Sequence, residues 1–109
     1  MSPNRPEKKV AVVLHARQAY VEWINILEED HNICLNQIPP SVYLLEQKKL
    51  SAEPDSILRR YYKAMFDKQL QNWWQYPSAW PKKRDYRLFK LWFDAEVIRE
   101  VCEVSSIAS

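Results

Sequence analysis

The sequence predicts a small two-layer α/β (α+β) sandwich, with about three helices on one face of a three-stranded sheet, in the order βαβααβ. An aliphatic, β-branched run at residues 10–14 is typical of a buried strand. After this strand, apolar residues recur with the period of an α-helix, and one of the helical segments is long enough for about five turns. The 109 residues suffice for one core and are too few for two, so we expect a single domain over residues 1–109.

The first half of the chain predicts two strands around one helix. Residues 1–9 are charged and rich in proline, and we expect a flexible lead there before the strand at 10–14. The helix should end near residues 28–30, because acidic side chains are unfavourable at the negative end of the helix dipole. After a connector at 31–40, residues 41–45 predict a second short strand. The buried stripe of the helix is predicted to comprise Ala16, Tyr20, Trp23, Ile24 and Leu27.

A second, longer helix is predicted to begin within residues 51–55 and to reach Trp74. Ser51 is a candidate cap, Pro54 suits the first turn, and acidic residues suit the positive end of the helix. One side of this helix is basic and the other is apolar. The predicted buried stripe consists of Leu58, Tyr61, Tyr62, Met65, Gln69 and Trp73, and the opposite side carries Arg59, Arg60, Lys63 and Asp67.

The last part of the chain predicts a third helix and a third strand. Asp85 is a predicted N-cap, and Trp80 before it could pack against the first turn. Residues 96–104 combine helical spacing with many β-branched side chains, and we favour a strand because two strands alone make a poor sheet. Residues 105–109 are expected to be a flexible tail. The third helix is predicted to bear Tyr86, Phe89, Trp92 and Phe93.

The chain contains no glycine. Phosphate-binding loops, dinucleotide fingerprints and most nucleophile elbows need glycine for positive φ and for close approach of the backbone to a ligand. Nucleotide chemistry through those loops is therefore excluded. Asparagine and aspartate tolerate the left-handed region best after glycine, so we expect them to occupy it at helix ends and turns.

Two cysteines and the absence of long apolar runs indicate a cytoplasmic protein. The longest aliphatic run, at residues 10–14, is far shorter than the roughly twenty residues of a membrane span. The first ten residues contain no apolar stretch typical of a signal peptide. Cys34 and Cys102 are expected to be reduced thiols, with Cys102 in the core.

Metal-binding and catalytic interpretations of the sequence are weak. His31 and Cys34 have ligand spacing, but structural zinc normally uses two such pairs. A nucleophilic cysteine needs a base and a group that orients the base, and the sequence shows neither pattern. We therefore predict a protein without catalytic residues, metal or cofactor.

The most distinctive stretch is basic and aromatic. Residues 59–90 carry nine basic and two acidic side chains, and residues 73–93 hold four of the five tryptophans. Such a stretch either builds a core or faces a partner. A protein partner or a second copy of the chain, bound through an aromatic surface, is the predicted ligand. The alternative is single-stranded nucleic acid bound through residues 59–93. The candidate partner-binding residues are Arg60, Lys63, Trp74, Trp80, Lys82, Lys83, Arg84 and Arg87.

Two adjacent tryptophans are expected to differ in burial. On a continuous helix, Trp73 lies four residues after Gln69 and falls on the buried stripe. Trp74 falls towards the charged side, eleven residues after Lys63. We therefore expect Trp73 in the core and Trp74 substantially exposed.

Residues 80–93 spell W-P-x-x-R-x-x-x-x-F-x-x-W-F. This motif resembles that of a family of small uncharacterised bacterial proteins, as do the aromatic segment at 19–25 and the strand-like 42–44. The resemblance implies a short helix or strand after the W-F pair and brings no established activity. Read physically, Trp80 and Pro81 fix a turn and Arg84 bonds carbonyls or a carboxylate. The aromatic residues at its end would pack the helix on the sheet.

Overall fold

The computed structural model describes residues 9–27, 32–46, 53–101 and 104. Within them the predicted fold class and the order βαβααβ are confirmed. The N-terminal lead is described only from Lys9, which already belongs to the first strand, and the tail at 105–109 lies outside the described residues. The elements are β1 (Lys9–Ala16), α1 (Gln18–Leu27), β2 (Ser41–Glu46), α2 (Pro54–Trp73), α3 (Tyr86–Trp92) and β3 (Phe93–Ile98), with 3₁₀ helices at Leu35–Gln37 and Pro77–Ala79.

The strands form one antiparallel sheet in the order β2-β1-β3. Val12 of the central strand pairs with Tyr43 on one side and with Val97 on the other. Because side chains alternate along a strand, these three residues share the inner face, which packs against the helices. Residues 10–14 of β1 are apolar on both sides of the pleat.

The core between the sheet and the helices is built largely of aromatic rings. Phe66 of α2 contacts Phe93 edge-on, with ring centroids 5.8 Å apart at 84°. Tyr20 of α1 meets the same ring at 4.7 Å. Tyr20, Phe66 and Phe93 are almost fully buried. The aromatic residues of the sequence thus serve mainly to join the two layers.

One polar network crosses this core. The Tyr20 hydroxyl donates to the backbone carbonyl of Gln69 at 2.6 Å, and Gln69 Nε2 donates to the Tyr43 hydroxyl at 2.7 Å. These bonds tie α1, α2 and β2 together. Burial raises the pKa of both tyrosines, so both stay neutral. Gln69 lies on the buried stripe as predicted.

The predicted boundaries between helix and strand were wrong at two points. Phe93, predicted on the third helix, begins β3 three residues before the predicted start at 96. Ile98 ends the strand, so residues 99–101, predicted to be part of it, lie outside. Phe93 is also the C-cap of α3, with extended φ −137° and ψ 144°, so helix passes into strand without a loop. Ala16, predicted on the first helix, is the last residue of β1 and pairs with Phe93.

The prediction of left-handed asparagine or aspartate was wrong for the part of the chain that is described, where no residue has positive φ. The helix α2 instead ends at an extended C-cap, Trp74, whose N–H donates to the Leu70 carbonyl at 2.9 Å. At its start, Glu53 is the N-cap and Pro54 follows, whereas the candidate cap Ser51 lies outside the described residues. The predicted end of the first helix at 28–30 lies outside them too.

Among the described residues, no helix combines the length and the apolar composition that crossing a membrane requires.

Candidate binding surfaces

Five of the eight predicted partner-binding residues are exposed basic side chains on the helical layer. Two lie on the outer side of α2, two precede α3, and one lies on α3 itself. Of these, Lys83 is within 3.8 Å of Asp85, a distance that gives a weak, solvent-screened ion pair. The five are Arg60, Lys63, Lys82, Lys83 and Arg87.

Trp80 and Arg84, also in the predicted set, hold the backbone together. Trp80 is only 8% exposed, and its Nε1 donates to the Trp74 carbonyl at 2.8 Å. Arg84 donates to the Pro81 carbonyl at 2.9 Å and to Asp67 of α2 at 3.1 Å, with its guanidinium over the Trp80 ring. This confirms the physical interpretation of the W-P-x-x-R motif as a turn fixed by hydrogen bonds. Its tryptophan is buried and therefore presents no face to a ligand.

The other aromatic residues of residues 80–93 also pack inwards. Phe89 and Phe93 are buried, and Trp92 packs against the core at 5.6 Å from Phe66. Aromatic rings that would stack on nucleic-acid bases are consequently missing from this part of the helical layer. Among the described aromatic residues, Tyr76 is the most exposed, at 59%.

The adjacent tryptophans are less different than predicted. Trp73, the last residue of α2, packs against the core as predicted, but it is only partly buried. Trp74 is partly buried rather than substantially exposed. The helical phase does not apply to Trp74, because the chain is already extended there (φ −151°, ψ 113°).

A shallow groove of about 330 Å³ lies where α2 ends. We call it the end groove and define it by its lining. None of its six side chains carries a charge, and three of them are primary amides. The lining comprises Gln71, Asn72, Trp73, Trp74, Gln75 and Tyr76.

A charged cluster lies at the other end of α2. Asp55 accepts hydrogen bonds from Arg59 Nε and from the Tyr86 hydroxyl, both at 2.7 Å. The Tyr86 and Arg59 donors and nearby Lys90 hold the pKa of Asp55 below its usual range. Burial, and then the bond to Asp55, raises the pKa of Tyr86 to about 12. The cluster joins α2 to α3, and Asp55 offsets the charge of Arg59.

The outer face of the sheet presents an apolar surface, which the sequence interpretation missed. Exposed Glu96, which pairs with Val13, borders this surface on β3. On β2, Val42 and Leu44 point away from the helices and are 60% and 59% exposed. The sequence does contain an indication of this surface. Residues 42–45 are four consecutive apolar residues, a pattern expected for a strand that is covered on both faces. We call this surface the sheet patch, which consists of Ala11, Val13, Val42, Leu44 and Ile98.

Within the described ranges, the structure brings together no group of residues suited to metal binding. His15 and Cys34 are exposed, and no three side chains of His, Cys, Asp or Glu in the described ranges are placed to hold a metal ion. His31 and Cys102 lie outside those ranges.

No protein-family model, curated protein or solved structure matches this chain. The resemblance of residues 80–93 to a bacterial family therefore stays a prediction.

Proposed function

We propose that this chain is a non-enzymatic binding module that self-associates through the sheet patch. The observation that carries the proposal is the exposure of Val42 and Leu44 on the sheet face opposite the helices. Single exposed apolar side chains are ordinary, whereas contiguous groups of them mark interaction surfaces.

The register of the sheet makes the patch contiguous. Leu44 and Ile98 pair with Ala11 from its two sides, and Val42 pairs with Val13 in the next outward row. Ala11 is buried between its neighbours, and Ile98 is 36% exposed. Directly paired side chains lie about 5 Å apart at Cβ, so these five form one surface.

A second copy of the chain fits this surface. With a two-fold axis parallel to β1, β2 of one copy lies over β3 of the other, so Leu44 meets Ile98 of the second copy. The same axis places Val42 over Glu96 of the second copy, so this edge of the contact is polar. The small Ala11 lies at the centre, where two sheets at about 10 Å must interdigitate. Long-range repulsion between the copies is small, because the formal net charge is only +2.

The size of the face sets the expected strength. Three strands of six residues cover about 14 by 20 Å, or about 300 Å². Stable interfaces bury about 800 Å² on each partner, so this contact should be weak and reversible. We expect a dissociation constant of about 100 μM, equivalent to about −5.5 kcal/mol.

Sedimentation velocity over a concentration series tests the proposal. From about 10 μM to about 1 mM, which brackets the expected dissociation constant, the average mass should rise from 13.1 kDa towards that of a dimer. Leu44→Lys should keep the chain monomeric. Leu91→Lys is the matched control, because Leu91 is similarly exposed, at 57%, but lies on α3.

Two results would contradict self-association through the patch: a wild-type chain that stays monomeric throughout, or equal loss of association in both variants. We place the module in the cytoplasm, where the exposed Cys34 remains a thiol. Measurements therefore need a reductant, so that disulfide-linked dimers do not imitate the non-covalent one.

Binding of single-stranded nucleic acid is the second candidate, supported by the exposed basic residues of the helical layer. Arg59 and Arg84 are already paired with Asp55 and Asp67. With few stacking aromatics in reach, binding would rest on phosphate contacts and fall steeply with salt.

Fluorescence anisotropy with a labelled oligothymidylate at low and high salt tests this second candidate. The double variant Arg60→Glu, Lys63→Glu should lose the binding, whereas Leu44→Lys should retain it. Absence of binding at low salt would exclude it. The same variants separate the two candidates, because each removes one surface and leaves the other intact.

A further inference from the structure

The end groove offers flat aromatic surfaces at the end of α2. The rings of Trp74 and Tyr76 lie 6.2 Å apart at 69°, so their planes form a corner rather than a stack. Tyr76 is 59% exposed. A small apolar ring face could lie against either plane. The groove volume of about 330 Å³ is at the small end of ligand sites, which span about 300–1,000 Å³.

The groove also offers hydrogen-bonding groups that the protein does not use itself. The indoles of Trp23 and Trp80 donate to backbone carbonyls at 3.1 and 2.8 Å. The indole N–H groups of Trp73 and Trp74 have no acceptor among the described residues. Every buried side-chain nitrogen or oxygen in those residues has a hydrogen-bond partner, so these two unpaired N–H groups are not buried and reach solvent. The three amides of the lining each add donors and an acceptor.

The electrostatics of the groove lining disfavour an anion. Its lining is uncharged, and it lies at the C-terminal end of a 20-residue helix, where the dipole is negative. The last carbonyls of an α-helix lack partners within the helix and accept hydrogen bonds from outside. Phosphates and carboxylates are therefore repelled, and a ligand has to bring donors of its own.

Neutral hydroxyl groups satisfy these conditions, because each one donates and accepts. A proline-rich peptide accepts through its carbonyls but has few N–H groups to donate. A nucleotide brings a phosphate to the negative end of the helix. We propose that the end groove binds a neutral pyranose sugar, whose carbon-bound face packs on Trp74 or Tyr76 while its hydroxyls bond the amides. This site lies on the helical layer and does not depend on self-association through the sheet patch.

Nitrogen–proton NMR spectra of the indole groups test the proposal directly, because the five tryptophans give five resolvable signals. The probes are maltohexaose and cellotetraose, neutral glucans of opposite linkage. Either sugar should move the signals of Trp73 and Trp74 saturably, with a dissociation constant of about 1 mM. The signal of Trp23 should stay in place, because its N–H group donates to the Ala79 carbonyl, which is not part of the groove lining.

Variants and competing probes make the test decisive. Tyr76→Ala and Gln75→Ala alter exposed residues and should weaken sugar binding at least about tenfold, or about 1.4 kcal/mol each. Trp74→Ala should abolish sugar binding. If Trp74→Ala does not fold, Tyr76→Ala and Gln75→Ala still test the proposal. Decathymidylate and decaproline are run in parallel. No signal movement with either sugar would overturn the proposal, as would tighter binding of either competing probe at the same two signals.

Discussion

Replacing Trp80 by alanine should lower the free energy of unfolding by about 3–5 kcal/mol. Trp80 is 8% exposed and belongs to the core cluster between helices and sheet. A tryptophan side chain buries about 200 Å², and at about 25 cal/mol per Å² the loss of most of that area amounts to about 4 kcal/mol. The lost hydrogen bond to the Trp74 carbonyl adds about 1 kcal/mol, and relaxation around the cavity recovers part of the total.

Two further variants divide this loss between packing and hydrogen bonding. Trp80→Phe keeps an aromatic ring in the core and removes the indole N–H that holds Trp74 at 2.8 Å. It should cost about 1–2 kcal/mol. Trp74→Ala removes a partly exposed side chain and should cost about 1 kcal/mol, less than half the effect of Trp80→Ala.

Urea unfolding followed by far-ultraviolet circular dichroism is the suitable assay, because tryptophan fluorescence itself changes in these variants. The midpoint should fall while the slope stays constant. In thermal scans, Trp80→Ala should lower Tm by about 15 °C, at about 4 °C per kcal/mol. A loss below about 1 kcal/mol for Trp80→Ala, or an equal loss for Trp74→Ala, would refute a core role for the W-P-x-x-R motif.

Two predictions concern α3. Asp85→Ala removes the oxygen that accepts from the Leu88 N–H at 2.8 Å and should lower the free energy of unfolding in urea by about 1 kcal/mol. Asp85→Asn retains an acceptor and should cost only about 0.3 kcal/mol. Equal costs for the two variants would contradict the capping role of Asp85. Tyr86 has an unfolded pKa near 10.0 and a folded pKa of about 12, so its stabilisation of the fold is complete below pH 10 and is lost as pH rises through 12. Tyrosine ionisation, followed by ultraviolet absorbance, should show one fewer late-ionising tyrosine in Tyr86→Phe than in the wild type. Identical high-pH phases in the two proteins would contradict the raised pKa of Tyr86.

Local rules predicted much of this fold. The β-branched run gave β1, and Asp85 caps α3 as predicted, because both patterns depend on a few neighbouring residues. The start of β3 was misjudged because Phe93 lies four residues after Phe89 and so fits a helix as well as a strand. Only pairing with β1, a contact distant in sequence, decides between the two.

The candidate sites were harder to predict, because exposure depends on tertiary packing. Trp80 and Arg84 were chosen by residue type, and only the fold shows that they bond the Trp74 and Pro81 carbonyls. The end groove arises because α2 stops at Trp73 and the next residue is extended. The stop itself was predicted to within one residue, but the groove depends on how the extended chain after it packs, which the local sequence does not show.

The order of the strands has a consequence for how the molecule is made. The central strand β1 comes before every other described element, and its second neighbour, β3, comes after them: Ala11 pairs with Ile98, 87 positions later. During synthesis, β1 emerges long before β3 exists and carries an unsatisfied apolar edge for most of that time. The sheet can close only after the final element has been synthesised, which predicts slow folding governed by distant contacts rather than by the helices.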